Sequence, residues 1–120
     1  MITVTSHALV RWMERRLAVD IEAIRSSRLA QLRHALGQDA PRAIGDADVV
    51  EFIESVGFRL DSMRARIRAL AEPAIAAGAS FVIFPSGVLV LDGSTVVTVL
   101  APGMRPHAGS RRISDGGEAA

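Results

Sequence analysis

The chain contains no cysteine and no lysine. Without cysteine there is no disulfide framework, no thiolate metal site and no thiol nucleophile. Without lysine, all 14 basic residues are arginine. GC-rich codon usage is a sufficient cause of that bias. The physical consequence holds whatever the cause: a guanidinium offers a planar fork to phosphate and stays charged at any working pH. Long hydrophobic runs are also missing, since nothing approaches the ~18 apolar residues that a membrane span needs. The opening residues, Met1 to His7, lack the charged-then-apolar layout of a signal peptide. The expectation is a cytoplasmic protein with no membrane association. The net charge of +1 gives little long-range attraction for nucleic acid, so a local arginine cluster would have to supply it.

What is present is a 120-residue chain that is 49% apolar, enough for one domain with a real core. Ile2 to Val4 alternates like a short strand. Thr5 or Ser6 can cap a helix beginning near His7, with Leu9, Trp12, Met13 and Leu17 at the spacing of a buried face. Asp20 is an N-cap for a second helix, with Ile21, Ile24, Leu29, Leu32 and Leu36 apolar and Gly37 as its stop. Asp46 can cap a third helix ended by Gly57. Asp61 can cap a fourth that Pro73 should kink or bring to its last straight turn, and that Gly78 should end. The period then changes from helical to alternating. Ser80 to Phe84, Val88 to Leu91 and Ser94 to Leu100 read as strands, with turns at Pro85-Ser86-Gly87 and Asp92-Gly93. On the last strand, alternation puts Thr95, Val97 and Val99 on one face and Ser94, Val96, Thr98 and Leu100 on the other.

The predicted fold class is therefore α+β: a helical N-terminal two-thirds of about four helices, packed on a small antiparallel sheet with a C-terminal three-stranded meander. Residues 1–101 form the predicted domain. Residues 102–120, rich in Gly, Pro, Ser and Arg with no apolar periodicity, are predicted to be a disordered basic tail.

The candidate site is centred on His7. Arg11 and Arg15 follow it at intervals of four, which on a helix brings each side chain near the next. Histidine can give or take a proton near neutral pH. Arginine can hold a phosphate and stabilise the charge that develops on a pentavalent phosphorane. Together these suit cleavage of RNA by its own 2′-hydroxyl, which needs no metal. Thr98, a hydroxyl inside an apolar strand, joins the candidates if the first helix packs across its face. The plainer reading is a histidine in a capping contact and two solvated arginines paired with Glu14 or Glu22. His34 and His107 are too dispersed to complete a metal site, and there is no glycine-rich phosphate loop, so neither a metal nor a cofactor is expected. Arg64, Arg66 and Arg68 alternate and spread over more than one helical face.

The opening Ile2-Thr3-Val4-Thr5-Ser6-His7-Ala8-Leu9-Val10-Arg11-Trp12-Met13-Glu14-Arg15 resembles the strand followed by a His-Ala-x-x-Arg-x-x-Glu-Arg helix that begins certain small prokaryotic and phage proteins. Those are similar to the RelE/barnase-like group of endoribonuclease toxins. The closing Gly93 to Leu100 looks like that group's final strand, which often carries a Thr or Ser near its end. The resemblance covers the two ends of the chain, and Val19 to Phe58 reads as a helical insertion between them. It implies a helix packed on an antiparallel sheet, with His7, Arg11 and Arg15 on the site side and Thr98 opposite. It also implies RNA or another nucleic acid as substrate and an antitoxin-like partner. The competing functions are a non-catalytic nucleic-acid- or protein-binding module, and a phage structural or accessory protein that forms homo-oligomers.

Overall fold

Thr5 sets the first corner of the molecule. Its hydroxyl accepts from the Ala8 N–H (3.0 Å), which caps α1 (Ser6–Leu17), and donates to the Val97 carbonyl (3.1 Å). One side chain thus ties the start of the first helix to the last strand. The computed structural model describes residues 1–104. The tail expected over 102–120 lies, from 105 onward, outside the described residues.

Three further helices follow: α2 (Ile21–Leu36), α3 (Asp46–Ser55) and α4 (Asp61–Ala76). The strands are β1 (Thr3–Val4), β2 (Phe81–Phe84), β3 (Gly87–Asp92) and β4 (Thr95–Leu100). They make one four-stranded sheet in the order β1-β4-β3-β2. β2 with β3 and β3 with β4 are antiparallel, whereas β1 lies parallel to β4. The sheet is therefore mixed rather than antiparallel. Parallel pairing of β1 needs a crossover, and all four helices supply it.

A second difference lies inside β4. Its register against β3 shifts between Val90 and Leu91, so that Leu91 pairs with Val96 and Val90 with Thr98. Val97 is the extra residue of a β-bulge. The bulge reverses the expected alternation: Val96 and Val99, not Val97 and Val99, are the fully buried pair. The Thr5 hydroxyl takes up the carbonyl of this extra residue.

The core sits between α1 and the sheet. Leu9, Val10, Trp12 and Met13 meet Leu89, Leu91, Val96 and Val99, with Ile21, Val49 and Ile67 contributed by the other helices. Trp12 stacks on Phe84 at a centroid distance of 5.3 Å. Gly87 is required by close approach, since a Cβ there would lie 2.4 Å from the Leu100 carbonyl oxygen. The hairpin turn is Gly93–Ser94, with Gly93 at a φ of 59°.

Two smaller expectations are also corrected. Leu17 is not in the core but 51% exposed. Asp46 and Asp61 are not N-caps: Gly45 and Leu60 hold those positions, and each aspartate is the first helical residue. As expected, α4 runs on beyond Pro73 and ends, at Ala76, just before Gly78. No helix among the described residues is long and apolar enough to cross a membrane.

Candidate functional site

Because Gly45 occupies the N-cap of α3, the Asp46 carboxylate is free of capping duty and reaches sideways. One oxygen meets Nδ1 of His7 at 2.6 Å, and the other accepts from the guanidinium of Arg25 on α2. Arg25 also donates to the Ile44 carbonyl and lies 3.3 Å from Glu22. Three helices are thereby joined through one carboxylate. Burial works against that charge, but hydrogen bonds and attraction from Arg25 and His7 outweigh it and hold the carboxyl below its ordinary value.

His7 stands at the start of α1 with its side chain 43% exposed. Asp46 fixes the ring through Nδ1, and Nε2 has no partner among the described residues. Arg11 is one turn along, but its guanidinium is taken by Glu14 at 2.6 Å. Arg15 is exposed, without an ion pair among the described residues. Thr98 pairs with Val90, on the sheet face turned away from α1, because the bulge at Val97 moves it out of the Val96 row. The structure thus brings His7 to a carboxylate and not to Thr98. Among the described residues, no group of three or more His, Asp or Glu is arranged to hold a metal ion.

Asp46 and Arg25 are the residues that sequence reasoning missed. Asp46 lies 39 residues from His7 and 21 from Arg25, so no local spacing connects them. The single hint was the glycine before Asp46, which can itself serve as N-cap and release the aspartate.

A different kind of surface lies at the other end of α1 and α3. Ala18 closes α1 in a left-handed conformation (φ 55°), and the Val19 N–H returns to the Met13 carbonyl at 3.0 Å. The chain then turns into α2 and leaves a groove of about 430 Å³. Met13, Leu17, Ile24, Ile53, Val56 and Phe58 line it, and Arg59 is its one charged wall. Leu17, Val56 and Phe58 are 51%, 56% and 65% exposed. A second cleft, of about 300 Å³ and with a mixed lining of charged and apolar side chains, lies between α2 and α3, where Arg28 sits 5.2 Å over the Phe52 ring. Neither cleft includes His7, Arg11, Arg15 or Thr98.

No protein-family model, curated protein or solved structure matches the chain.

Proposed function

We propose that this chain is a protein-binding module whose groove seats an acidic amphipathic helix of a partner. The observation that carries the reading is the convergence of three largely exposed apolar side chains, Leu17, Val56 and Phe58, on one concave surface. Its volume falls within the ~300–1,000 Å³ of ordinary ligand sites, and helices dock into such grooves by their apolar face. The preference for an acidic helix comes from the rim. Arg59 lines the groove, held only by a long, solvent-exposed contact of 4.0 Å with Asp61, and Arg16, adjacent to Leu17, has no ion pair among the described residues. By contrast, the charges around His7 are largely neutralised by Asp46, Glu14 and Glu22.

The test is fluorescence anisotropy with a labelled peptide carrying Leu at i, i+3, i+4 and i+7 and Glu elsewhere, beside a version with Lys for Glu. The Glu peptide should bind about tenfold tighter than the Lys peptide, a difference of about 1.4 kcal/mol. Phe58→Asp should abolish binding. Failure of both peptides to bind would overturn the reading, and equal affinity would remove its electrostatic part.

A second reading is favoured by a separate contact. His7 is oriented by a carboxylate through Nδ1, its side chain is 43% exposed and its Nε2 has no partner among the described residues, an arrangement suited to proton transfer. With Arg15 as the cation, it would serve metal-independent cleavage of RNA. Purified protein on mixed single-stranded and structured RNA in chelator should then leave 2′,3′-cyclic phosphate ends. His7→Ala should lower the rate by about 10²-fold. Cleavage unchanged in that variant would exclude His7.

A further inference from the structure

The two edges of the sheet are finished differently. β1 is two residues long, and just outside it Arg68 of α4 donates from Nε to the Ile2 carbonyl at 3.1 Å. β2 has no such cover among the described residues. Its pairing with β3 is regular, from Phe84 opposite Gly87 to Phe81 opposite Val90. The Leu91 N–H continues the ladder to the Ser80 carbonyl at 2.9 Å. Hydrogen-bonded and non-bonded pairs alternate in an antiparallel ladder, so Ser80, Val82 and Phe84 bond inward. The N–H and C=O of Phe81 and Ile83 point away from the sheet, and no backbone partner among the described residues meets them.

Proteins blunt such an edge with charge, proline, a bulge or a very short strand. None of these is present in β2. From Pro73 to Leu91 there is no charged side chain. The side chains of Phe81 and Ile83, 36% and 58% exposed, stand on the face away from α1, beside Val90 and Val88.

We propose that β2 pairs antiparallel with β2 of a second copy of this chain, about a twofold axis at Val82. The hydrogen-bonding pattern of the strand is self-complementary in that register. With Val82 opposite its symmetry mate, Phe81 of each copy faces Ile83 of the other. Both residues bond outward, so each of these two pairs closes its two backbone bonds. A shift of one residue would set outward groups against inward ones and lose the bonds. Phe81 and Ile83 also form an aromatic–β-branched cross-strand pair, which is favourable. The uncharged stretch lets two copies meet without like-charge repulsion, while offering a foreign peptide no charge to recognise. Four residues a side bury less than the ~1,200 Å² of a standard stable interface, so the dimer is concentration-dependent.

The absence of native cysteine gives a direct test, because Val82→Cys creates the sole thiol. At a non-hydrogen-bonded antiparallel position the Cα atoms lie about 4.5 Å apart, within disulfide reach. Under mild oxidation Val82→Cys should form a disulfide-linked dimer much faster than Ser55→Cys on the surface of α3. In sedimentation equilibrium the wild type should rise from one chain to two with concentration. Ile83→Pro should stay monomeric yet unfold cooperatively, since its N–H takes no part in the hairpin ladder. A second disruption, Ile83→Lys, gives the same readout if the proline variant fails to fold. A wild type that stays monomeric at all concentrations would overturn the proposal. So would dimerisation unchanged in both variants, or cross-linking of Val82→Cys no faster than of Ser55→Cys.

Discussion

The helices α1, α2 and α3 meet in two places, and the two junctions are made of opposite materials. At the starts of α1 and α3, Asp46 gathers His7 and Arg25, and polar groups brought out of water find partners. At the ends of the same two helices, Leu17, Val56 and Phe58 surround a groove and remain open to solvent. The difference teaches how to divide stability from binding here. A partly buried ion cluster is costly to break, because each partner left behind stays desolvated and unpaired. An exposed apolar rim contributes little to the fold and is available for a partner.

The largest effect is expected where both junctions share an anchor. Trp12 lies on α1 between them, only 2% exposed and stacked on Phe84. Trp12→Ala should cost about 3–5 kcal/mol in urea unfolding. A cost under about 1 kcal/mol would mean that α1 does not carry the core.

Breaking the polar junction comes next. Asp46→Ala leaves Arg25 only the Ile44 carbonyl and the exposed Glu22 and releases the His7 ring, and should cost about 2 kcal/mol, less than a fully buried pair because all three side chains keep some water contact. The same junction predicts an acid dependence. The carboxyl of Asp46 is held below its ordinary value of 3.8. Its contribution is therefore fully present above that value and is lost as pH falls through the lower folded value. Thermal melts from neutral pH downward should show wild type and Asp46→Asn converging at acid pH. A gap between them that stays constant into the acid range would refute the electrostatic origin.

At the apolar junction the prediction reverses. Phe58→Ser should change stability by no more than about 0.5 kcal/mol while removing peptide binding. A large loss of stability would show that Phe58 belongs to the fold, and the contrast between the junctions would fail. The smallest effect is expected at the corner that shapes the groove. Ala18 holds a left-handed conformation that costs a non-glycine residue about 1 kcal/mol. Ala18→Gly should stabilise the protein by only a few tenths of a kcal/mol, read as a small rise in melting temperature.

The elements were legible where local chemistry decides them. Thr5 and Asp20 are the caps of α1 and α2, accepting from the N–H of Ala8 and Ala23 as their residue types suggest. The change from helical to alternating periodicity after Gly78 marks the passage from α4 to β2. The Asp-Gly signal lies at a real hairpin, shifted by one residue so that Gly93 and Ser94 form the turn. The face assignment of β4 was not legible. A bulge depends on what the extra residue meets, and the Val97 carbonyl meets a hydroxyl 92 positions away.

The site divides in the same way. The sequence by itself determined that His7, Arg11 and Arg15 share one helix, because their spacing of four is a property of that helix alone. It also determined that α1 carries a buried stripe through Leu9, Trp12 and Met13. Only the tertiary structure decided which partners the polar stripe has. It gave His7 the Asp46 carboxylate and put Thr98 on the far face of the sheet, whereas the Arg11–Glu14 pair is a local i,i+3 contact that the sequence already offered. The physical reason is range. Capping, helical spacing and turn chemistry act over a few residues and can be read from neighbours in sequence. Ion pairing, bulge register and groove formation depend on which chain segments become neighbours in space, and that is settled only when the sheet closes β1 onto β4.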